Sequence, residues 1–322
     1  MKICSPSTIT IALSFTLALL TFAEDPARAQ TDPKFEFGKA EAVKTVEWKA
    51  QAKGGLLLTT GNSQTTNANA GVLVSRKEGG NKVAFEGALA YGKSTVLAPV
   101  FGDPANPTQI TGLDEHTVET TNSWLTRGRY DRFFTANNSG YATAQAAGDK
   151  IAGKSFYGGG QVGYSRQLVK SDLQLVVAEL GYDFSYESYV PQPGKTLDAV
   201  SVHSARVFAG ETLKLSAATG VTGSVEALFN LNKEDKAISV STKVPGVDPF
   251  KDTRMIGKLG VTTTLLKSLS MSFGFTLKYD QNPAPRPVPS GSPAGSGYAP
   301  TFQPFSDKVD TLTEATLIYT FL

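Results

Sequence analysis

The segment Leu269–Asp280, LSMSFGFTLKYD, alternates strictly between two kinds of side chain. Its odd positions are all large and apolar, whereas its even positions hold only serine, glycine, threonine, lysine and aspartate. Because successive residues of a β-strand point to opposite faces, the segment predicts a strand with one apolar and one polar face. If this alternation recurs along the chain, and short and long connections also alternate, the sequence predicts a closed barrel with lipid outside.

The alternation does recur, and it predicts about twelve strands, most of them longer than the roughly 9 to 11 residues that a tilted membrane strand needs. Clear examples start near Val46, Val83 and Met255, and the last one closes the chain at Phe321. The segment 200–208 is ambiguous, because either face would carry one ionisable group, His203 or Arg206. Arg166 and Arg206 are the two candidates for ionisable side chains on the apolar face.

The connections give an independent test of the barrel. Tight turns are predicted after strands two, six, eight and ten, at residues 78–81, 170–172, 210–212 and 267–268. Long loops are predicted after strands three, seven, nine and eleven, at residues 97–115, 189–198, 230–252 and 281–307. Short turns at one end and long loops at the other are typical of outer-membrane barrels, with periplasmic termini and external loops. The connection between strands one and two, GNS, is short where the pattern predicts a long loop.

Nearly all ionisable side chains of the clear strands fall on the polar face. A Lys or Arg facing lipid at mid-membrane costs roughly 2 to 4 kcal/mol, and the sequence obeys that penalty. The polar faces would therefore line the lumen, where they could form either a narrow solute path or a closed ion-pair network that holds the barrel together. The predicted lumen-lining residues are Lys49, Lys53, Glu86, Glu119, Arg127, Arg129, Glu179, Asp183, Glu226, Arg254, Lys258, Lys278 and Glu314.

The N-terminal region has the features of a cleavable signal peptide, residues 1–29. A lysine at position 2 precedes the apolar run 9–22, and Ala-Arg-Ala at 27–29 provides a cleavage site. Residues 30–44 are predicted to be a periplasmic lead-in and residues 45–322 a single barrel domain. The only cysteine is Cys4, in the predicted signal, so no disulfide is expected in the exported protein. The formal net charge of +2 argues against nucleic acid as a partner.

Several short motifs together resemble a known family. They are Trp48 ahead of LLLTTGNS at 56–63, Tyr-Asp at 130–131 and 279–280, and LIYTF at 317–321. These resemble the salt-induced outer-membrane protein family, a bacterial domain family of unknown function. The resemblance implies an outer-membrane barrel and supplies no reaction or catalytic residues. The last strand also resembles the sorting signal that the barrel-assembly machinery reads, except that Leu322 follows the terminal aromatic Phe321.

The sequence offers little that predicts catalysis. Residues 158–163, GGGQVG, fit the G-x-G-x-x-G pattern, but a further strand segment follows instead of a helix, which favours a patch of small residues in the barrel wall. Only His116 and His203 could serve as a histidine base, and two distant histidines without thiols make poor metal ligands. We therefore predict a non-enzymatic barrel without a cofactor or metal, with a rim hydrolase that uses His116 on lipid as the alternative.

The predicted partners are outer-membrane lipid and a possible small solute. The loops at 97–115 and 281–307 are rich in proline and glycine. Such a composition is typical of mobile spacers. The second loop has the alternative of folding over the mouth of the barrel, where a receptor or adhesion role would reside.

Overall fold

The computed structural model describes residues 43–59, 64–101, 110–193, 197–234, 246–288, 292, 296–299, 302 and 304–321. The predicted signal peptide, nearly all of the predicted lead-in and the GNS turn lie outside these residues. Within them the chain forms twelve strands and no helix. They are β1 (Val43–Thr59), β2 (Gln64–Gly79), β3 (Asn81–Phe101), β4 (Ile110–Phe133), β5 (Asn138–Asp149), β6 (Lys154–Lys170), β7 (Gln174–Tyr189), β8 (Val200–Lys214), β9 (Thr219–Asn230), β10 (Thr253–Leu266), β11 (Leu269–Asp280) and β12 (Val309–Thr320).

Each strand pairs antiparallel with its neighbours in sequence, and β1 pairs with β12 to close the barrel. The closing register joins Gln51 to Thr320 and Gly54 to Leu317. The predicted all-β, up-and-down barrel of about twelve strands is confirmed. Because closure gives both edges a partner, the sheet has no exposed edge strand. Among the described residues, no helix has the length and apolar character needed to cross a membrane.

The two faces of the barrel differ as the alternation predicts. Outward side chains are large, apolar and exposed, such as Leu89 (61%) and Leu259 (55%). Inward side chains are polar and buried, such as Glu86 (3%) and Asp183 (1%). A barrel surrounded by hydrocarbon needs this inside-out distribution, because its outward surface contacts lipid and only its lumen contacts water.

Tight turns join the strands at one end of the barrel, which we call the short-turn end. They lie at residues 80, 134–137, 171–173, 215–218 and 267–268. The opposite end, the long-loop end, carries the long connections 190–199, 231–252 and 281–308, and also the short connection 150–153 between β5 and β6.

One predicted turn is wrong. The sequence suggested residues 210–212, but the ladder between β8 and β9 continues to Lys214, which pairs with Gly220. The turn lies at 215–218, where the hydroxyl of Ser216 accepts hydrogen bonds from the amides of Ala218 (3.2 Å) and Thr219 (3.0 Å). Gly210 lies within the strand and faces the lumen, so this glycine does not mark a turn.

Candidate functional site

A cavity of about 1010 Å³ runs along the inside of the barrel. Its lining includes Ser171 and Leu173 at the short-turn end and Pro283, Ala284 and Ser306 at the long-loop end. Its walls are formed mainly by the inward residues of the strands. The candidate site is therefore the lumen itself.

A chain of arginine–carboxylate pairs occupies one side of the lumen. The Nη2 of Arg129 lies 2.7 Å from Asp131 Oδ1 and 2.6 Å from Glu179 Oε1. Glu179 also accepts from Arg206 Nη1 at 2.8 Å, and Arg206 Nη2 reaches Glu226 at 3.1 Å. Charge-assisted bonds of this length are strong, and the buried carboxylate of Glu179 binds both guanidinium groups.

The ring of Tyr141 lies between the two arginines. The guanidinium carbons of Arg129 and Arg206 are 4.4 and 5.4 Å from the ring centroid, within the range of cation–π contacts. Arg206 also donates a 2.8 Å hydrogen bond to the Tyr141 hydroxyl. Two glycines paired across β6 and β7, Gly163 and Gly181, leave room for this hydroxyl, because a Cβ on either would collide with it. Gly163, the last residue of the predicted glycine patch, and Gly181 thus admit an aromatic side chain from β5.

A second ion cluster lies nearer the long-loop end. Glu187 Oε1 accepts from Lys154 Nζ at 3.0 Å and from Arg254 Nη1 at 3.1 Å. Arg254 donates further to the hydroxyl of Ser204 (3.2 Å), and Lys154 lies 3.9 Å from Asp280. The carboxylate of Glu187 therefore ties β7 to β6 and β10.

Some of these bonds join residues of one strand or of neighbouring strands, whereas others cross the lumen. Since neighbouring strands are consecutive in sequence, a bond from β4 to β7, from β5 to β8 or from β7 to β10 spans a quarter of the circumference. The pair between Lys154 on β6 and Asp280 on β11 spans almost half. We call this set the cross-lumen network: Arg129, Asp131, Tyr141, Lys154, Glu179, Glu187, Arg206, Glu226, Arg254 and Asp280.

Lysines dominate the basic residues on the other side of the lumen, formed by β1 to β3 and β10 to β12. Their side chains line the cavity with five carboxylates of the same strands, one of them Asp280 of the cross-lumen network, and Lys49 lies 3.5 Å from Glu47. A lysine is a compact charge on a flexible stem, whereas a paired arginine is held in a fixed fork. The six lysines of this side are Lys49, Lys53, Lys77, Lys82, Lys258 and Lys278.

Most of the sequence-predicted lumen residues line the cavity. Eleven of the thirteen do so directly: Lys49, Lys53, Glu86, Arg127, Arg129, Asp183, Glu226, Arg254, Lys258, Lys278 and Glu314. Glu179 faces inward as well, but its side chain is only 1% exposed because Arg129 and Arg206 enclose it. What these residues do for a solute stays a prediction.

Glu119 is the exception, and its predicted position in the lumen is wrong. The β3–β4 ladder pairs Gly92 with Thr121 but Lys93 with Glu119, so that Thr120 is an extra residue in β4. A bulge of this kind reverses which residues face inward on either side of it. Glu119 consequently shares the outward face of the exposed Lys93, where it accepts a hydrogen bond from Asn122 at 3.3 Å.

Sequence reasoning missed several network members, and Arg206 is the most informative. It had been a candidate for the apolar face, yet it is only 5% exposed and faces the lumen. The inward face of β8 also carries Val200, Val202 and Phe208, all buried. In a membrane barrel, apolar side chains normally point to lipid. Because the inward face of β8 is also partly apolar, the sequence could not show which face of this strand points to the lumen. Arg166, the other candidate, does lie exposed on the outward face near the short-turn end.

The two histidines are apart from the lumen network. His116 Nε2 lies 3.6 Å from Asp114 Oδ2, and both side chains are exposed at the long-loop end. His203 is on the outward face of β8, where its Nδ1 hydrogen bonds to the hydroxyl of Tyr182. In the part of the chain that the structure describes, no group of three or more His, Cys, Asp or Glu residues could hold a metal ion.

Residues 52–321 match a protein family described as "Protein of unknown function, DUF481". The chain belongs to this family. The resemblance to a bacterial barrel family of unknown function is thereby confirmed, whereas the link to salt is no part of the family's description and stays a prediction. No curated protein matches the DUF481 chain.

Among solved structures, the DUF481 barrel is similar to outer-membrane barrels at low sequence identity. The NanC porin is 8% identical with a TM-score of 0.42, and the match covers 85% of this chain and 100% of the porin. The translocator domain of the autotransporter NalP from Neisseria meningitidis is 13% identical with a TM-score of 0.39, covering 86% and 88% of the two chains. OmpT, an outer membrane protein of Vibrio cholerae, is 11% identical with a TM-score of 0.34, covering 87% and 100%.

Proposed function

We propose that this DUF481 barrel spans a bacterial outer membrane and passes a small solute through its lumen without catalysing a reaction. The observation that carries the proposal is the cavity that extends from turn residues at one end of the barrel to loop residues at the other. Barrel pores conduct small polar solutes through a lumen that runs the length of the barrel and is lined with charged side chains.

The outward surface supports the membrane part of the proposal. Large apolar side chains cover it, and exposed aromatics stand near both ends, including Trp48 and Tyr130 towards the short turns and Tyr91 and Tyr182 towards the long loops. Aromatic side chains are enriched at the two interfaces of a bilayer. The partners that we propose are outer-membrane lipid, the assembly machinery that reads the last strand and a small solute.

The cross-lumen network supports a second candidate, a structural barrel whose lumen is closed. Both candidates share the same fold, and they differ in whether ions flow through the cavity. Recording single channels from the purified, processed protein in a planar bilayer in potassium chloride decides between them. We expect discrete current steps, and a bilayer that stays silent after insertion would favour the structural barrel.

Two adjacent residues of β9 show whether the current uses the lumen. Ser224 lines the cavity, whereas Val225 faces outward and is 51% exposed. Because the only native cysteine is Cys4, in the predicted signal, a Ser224→Cys or Val225→Cys variant carries one reactive thiol after processing. A charged thiol reagent should reduce the current of Ser224→Cys and leave Val225→Cys unchanged. Equal responses would mean that the current does not pass through the lumen.

A further inference from the structure

Two described parts of the connection between β11 and β12, residues 281–288 and 304–308, lie across the long-loop end of the barrel. We call them the mouth segment. The Ser306 hydroxyl is 3.4 Å from the carbonyl oxygen of Ala152, in the turn between β5 and β6. That turn is six strand positions from β11 in a ring of twelve. The mouth segment therefore reaches the opposite side of the mouth.

The two arms of the mouth segment are held together by main-chain hydrogen bonds. The Arg286 amide donates to Pro304 O at 2.8 Å, and the Ser306 amide donates to Ala284 O at 2.9 Å. Gln192, in the β7–β8 loop, donates to Arg286 O at 2.9 Å. The sequence predicted that this proline-rich loop could fold over the mouth, and its described parts lie there; its mobility stays a prediction.

An apolar contact holds the mouth segment against the inner wall. Ala284 is buried among Tyr189, Val200 and Val202, with Leu197 packed alongside. These wall residues would face water if the segment moved away, because they lie on the inward face of β7 and β8. The hydrophobic effect therefore favours the position in which the mouth segment covers these wall residues.

One glycine makes the contact with the far wall possible. Gly153 has a φ of +82°, and a Cβ at this position would collide with the carbonyl oxygen of Pro285. Backbone atoms cannot yield as a flexible side chain does. Only glycine both tolerates this φ and lets Pro285 come so close.

We propose that the mouth segment is a gate for the lumen, closed when Pro285 and Ser306 rest on the β5–β6 turn and Ala284 covers the wall of β7 and β8. The proposal concerns the regulation of the lumen and rests on the proposed pore. At its described residues, the mouth segment covers only a small apolar patch, which is typical of an element that opens locally while the barrel stays folded. The gate moves as a hinged loop attached to β11 and β12.

A glycine pair in this chain provides a matched test. Gly153→Ala introduces both a left-handed alanine and the collision with Pro285, so the segment must leave the wall. Gly79→Ala places alanine at a φ of +53° with no heavy atom within 4 Å, at the short-turn end. In planar bilayers we expect Gly153→Ala to spend several-fold more time in the larger conductance level than the unmodified protein, and Gly79→Ala to match the unmodified protein.

A crosslink tests the closed position independently of that variant. In Ala152→Cys/Ser306→Cys, oxidation should hold the segment on the wall, lower the conductance and abolish transitions to the larger level, and reductant should restore both. Crosslinked protein, verified by mass, that conducts and switches as before would overturn the gate but leave the pore standing. If no crosslink forms, a Gly153→Ala channel identical to the unmodified one overturns it. Silence of every variant, including Gly153→Ala, would instead reject the pore, and the gate with it.

Discussion

Arg206 on β8 donates a 2.8 Å hydrogen bond to the hydroxyl of Tyr141 on β5, three strands away around the barrel. The same guanidinium lies 5.0 Å from the ring of Phe208 and binds Glu179 and Glu226. Side chains from four strands thus meet at one arginine. Because such bonds fix the distance between strands, we infer that this half of the barrel is rigid.

Glu179 is the residue whose charge the network most needs. Replacing it by glutamine keeps the shape but leaves Arg129 and Arg206 without a shared anion. Since each arginine retains one other carboxylate, we expect a loss of about 3 kcal/mol in the free energy of unfolding, at the lower end of the range for breaking a buried pair. The measurement is urea unfolding of the barrel folded into lipid vesicles.

Glu78 gives the matched control for that experiment. It also forms an ion pair with an arginine, Arg76, but both side chains are largely exposed, at 56% and 41%. Glu78→Gln should change the free energy of unfolding by less than about 1 kcal/mol. Similar losses for the two variants would show that the buried network contributes no more than a surface pair.

The close fit between Gly181 and Tyr141 predicts a rescue. Gly181→Ala places a methyl group against the Tyr141 hydroxyl and 2.7 Å from the carbonyl oxygen of Val162, so we expect a loss of about 1 to 3 kcal/mol from overpacking. Adding Tyr141→Phe removes the hydroxyl and should restore part of that stability. Gly128→Ala, where a Cβ would have no neighbour within 4 Å, should be close to neutral. A double variant less stable than the sum of the single changes would contradict this account.

A charged side chain in the middle of an outward strand face should lower the free energy of unfolding. Leu259 lies near the middle of β10, and Leu259→Lys is expected to cost roughly 2 to 4 kcal/mol in vesicles. Thr222 lines the cavity on the neighbouring strand, so Thr222→Lys should cost much less, because its ammonium group meets water. Equal costs in the same unfolding assay would argue that the outward face does not contact hydrocarbon.

Most of the fold follows from the sequence because hydrocarbon imposes one rule on every strand that spans it. The rule fails where something other than lipid contacts an apolar side chain. On β8, Val200 and Val202 are apolar and inward, because the mouth segment covers them. No local pattern could have revealed this, since Ala284 is distant in sequence. The sequence therefore did not predict whether Arg206 faces lipid or the lumen.

The other errors have local causes with weak sequence signals. Thr120 is an ordinary strand residue in composition, yet its extra position in β4 moved Glu119 to the outward face. The partners within the lumen were also beyond prediction. The alternation of polar and apolar residues predicts that Arg129 and Glu179 face inward. It does not predict that they meet, because the tilt and closure of the sheet bring these side chains of β4 and β7 within hydrogen-bonding distance.

The central claim is that the two faces of each strand contact different solvents, and thiol labelling along β9 tests it most directly. Single cysteines at 222, 224 and 228, which line the cavity, and at 221, 225 and 227 on the other face would be made in barrels folded into lipid vesicles. We predict that a charged, water-soluble thiol reagent labels the even positions and that a lipid-soluble reagent labels the odd ones. Labelling of both faces by the charged reagent at similar rates would contradict the account.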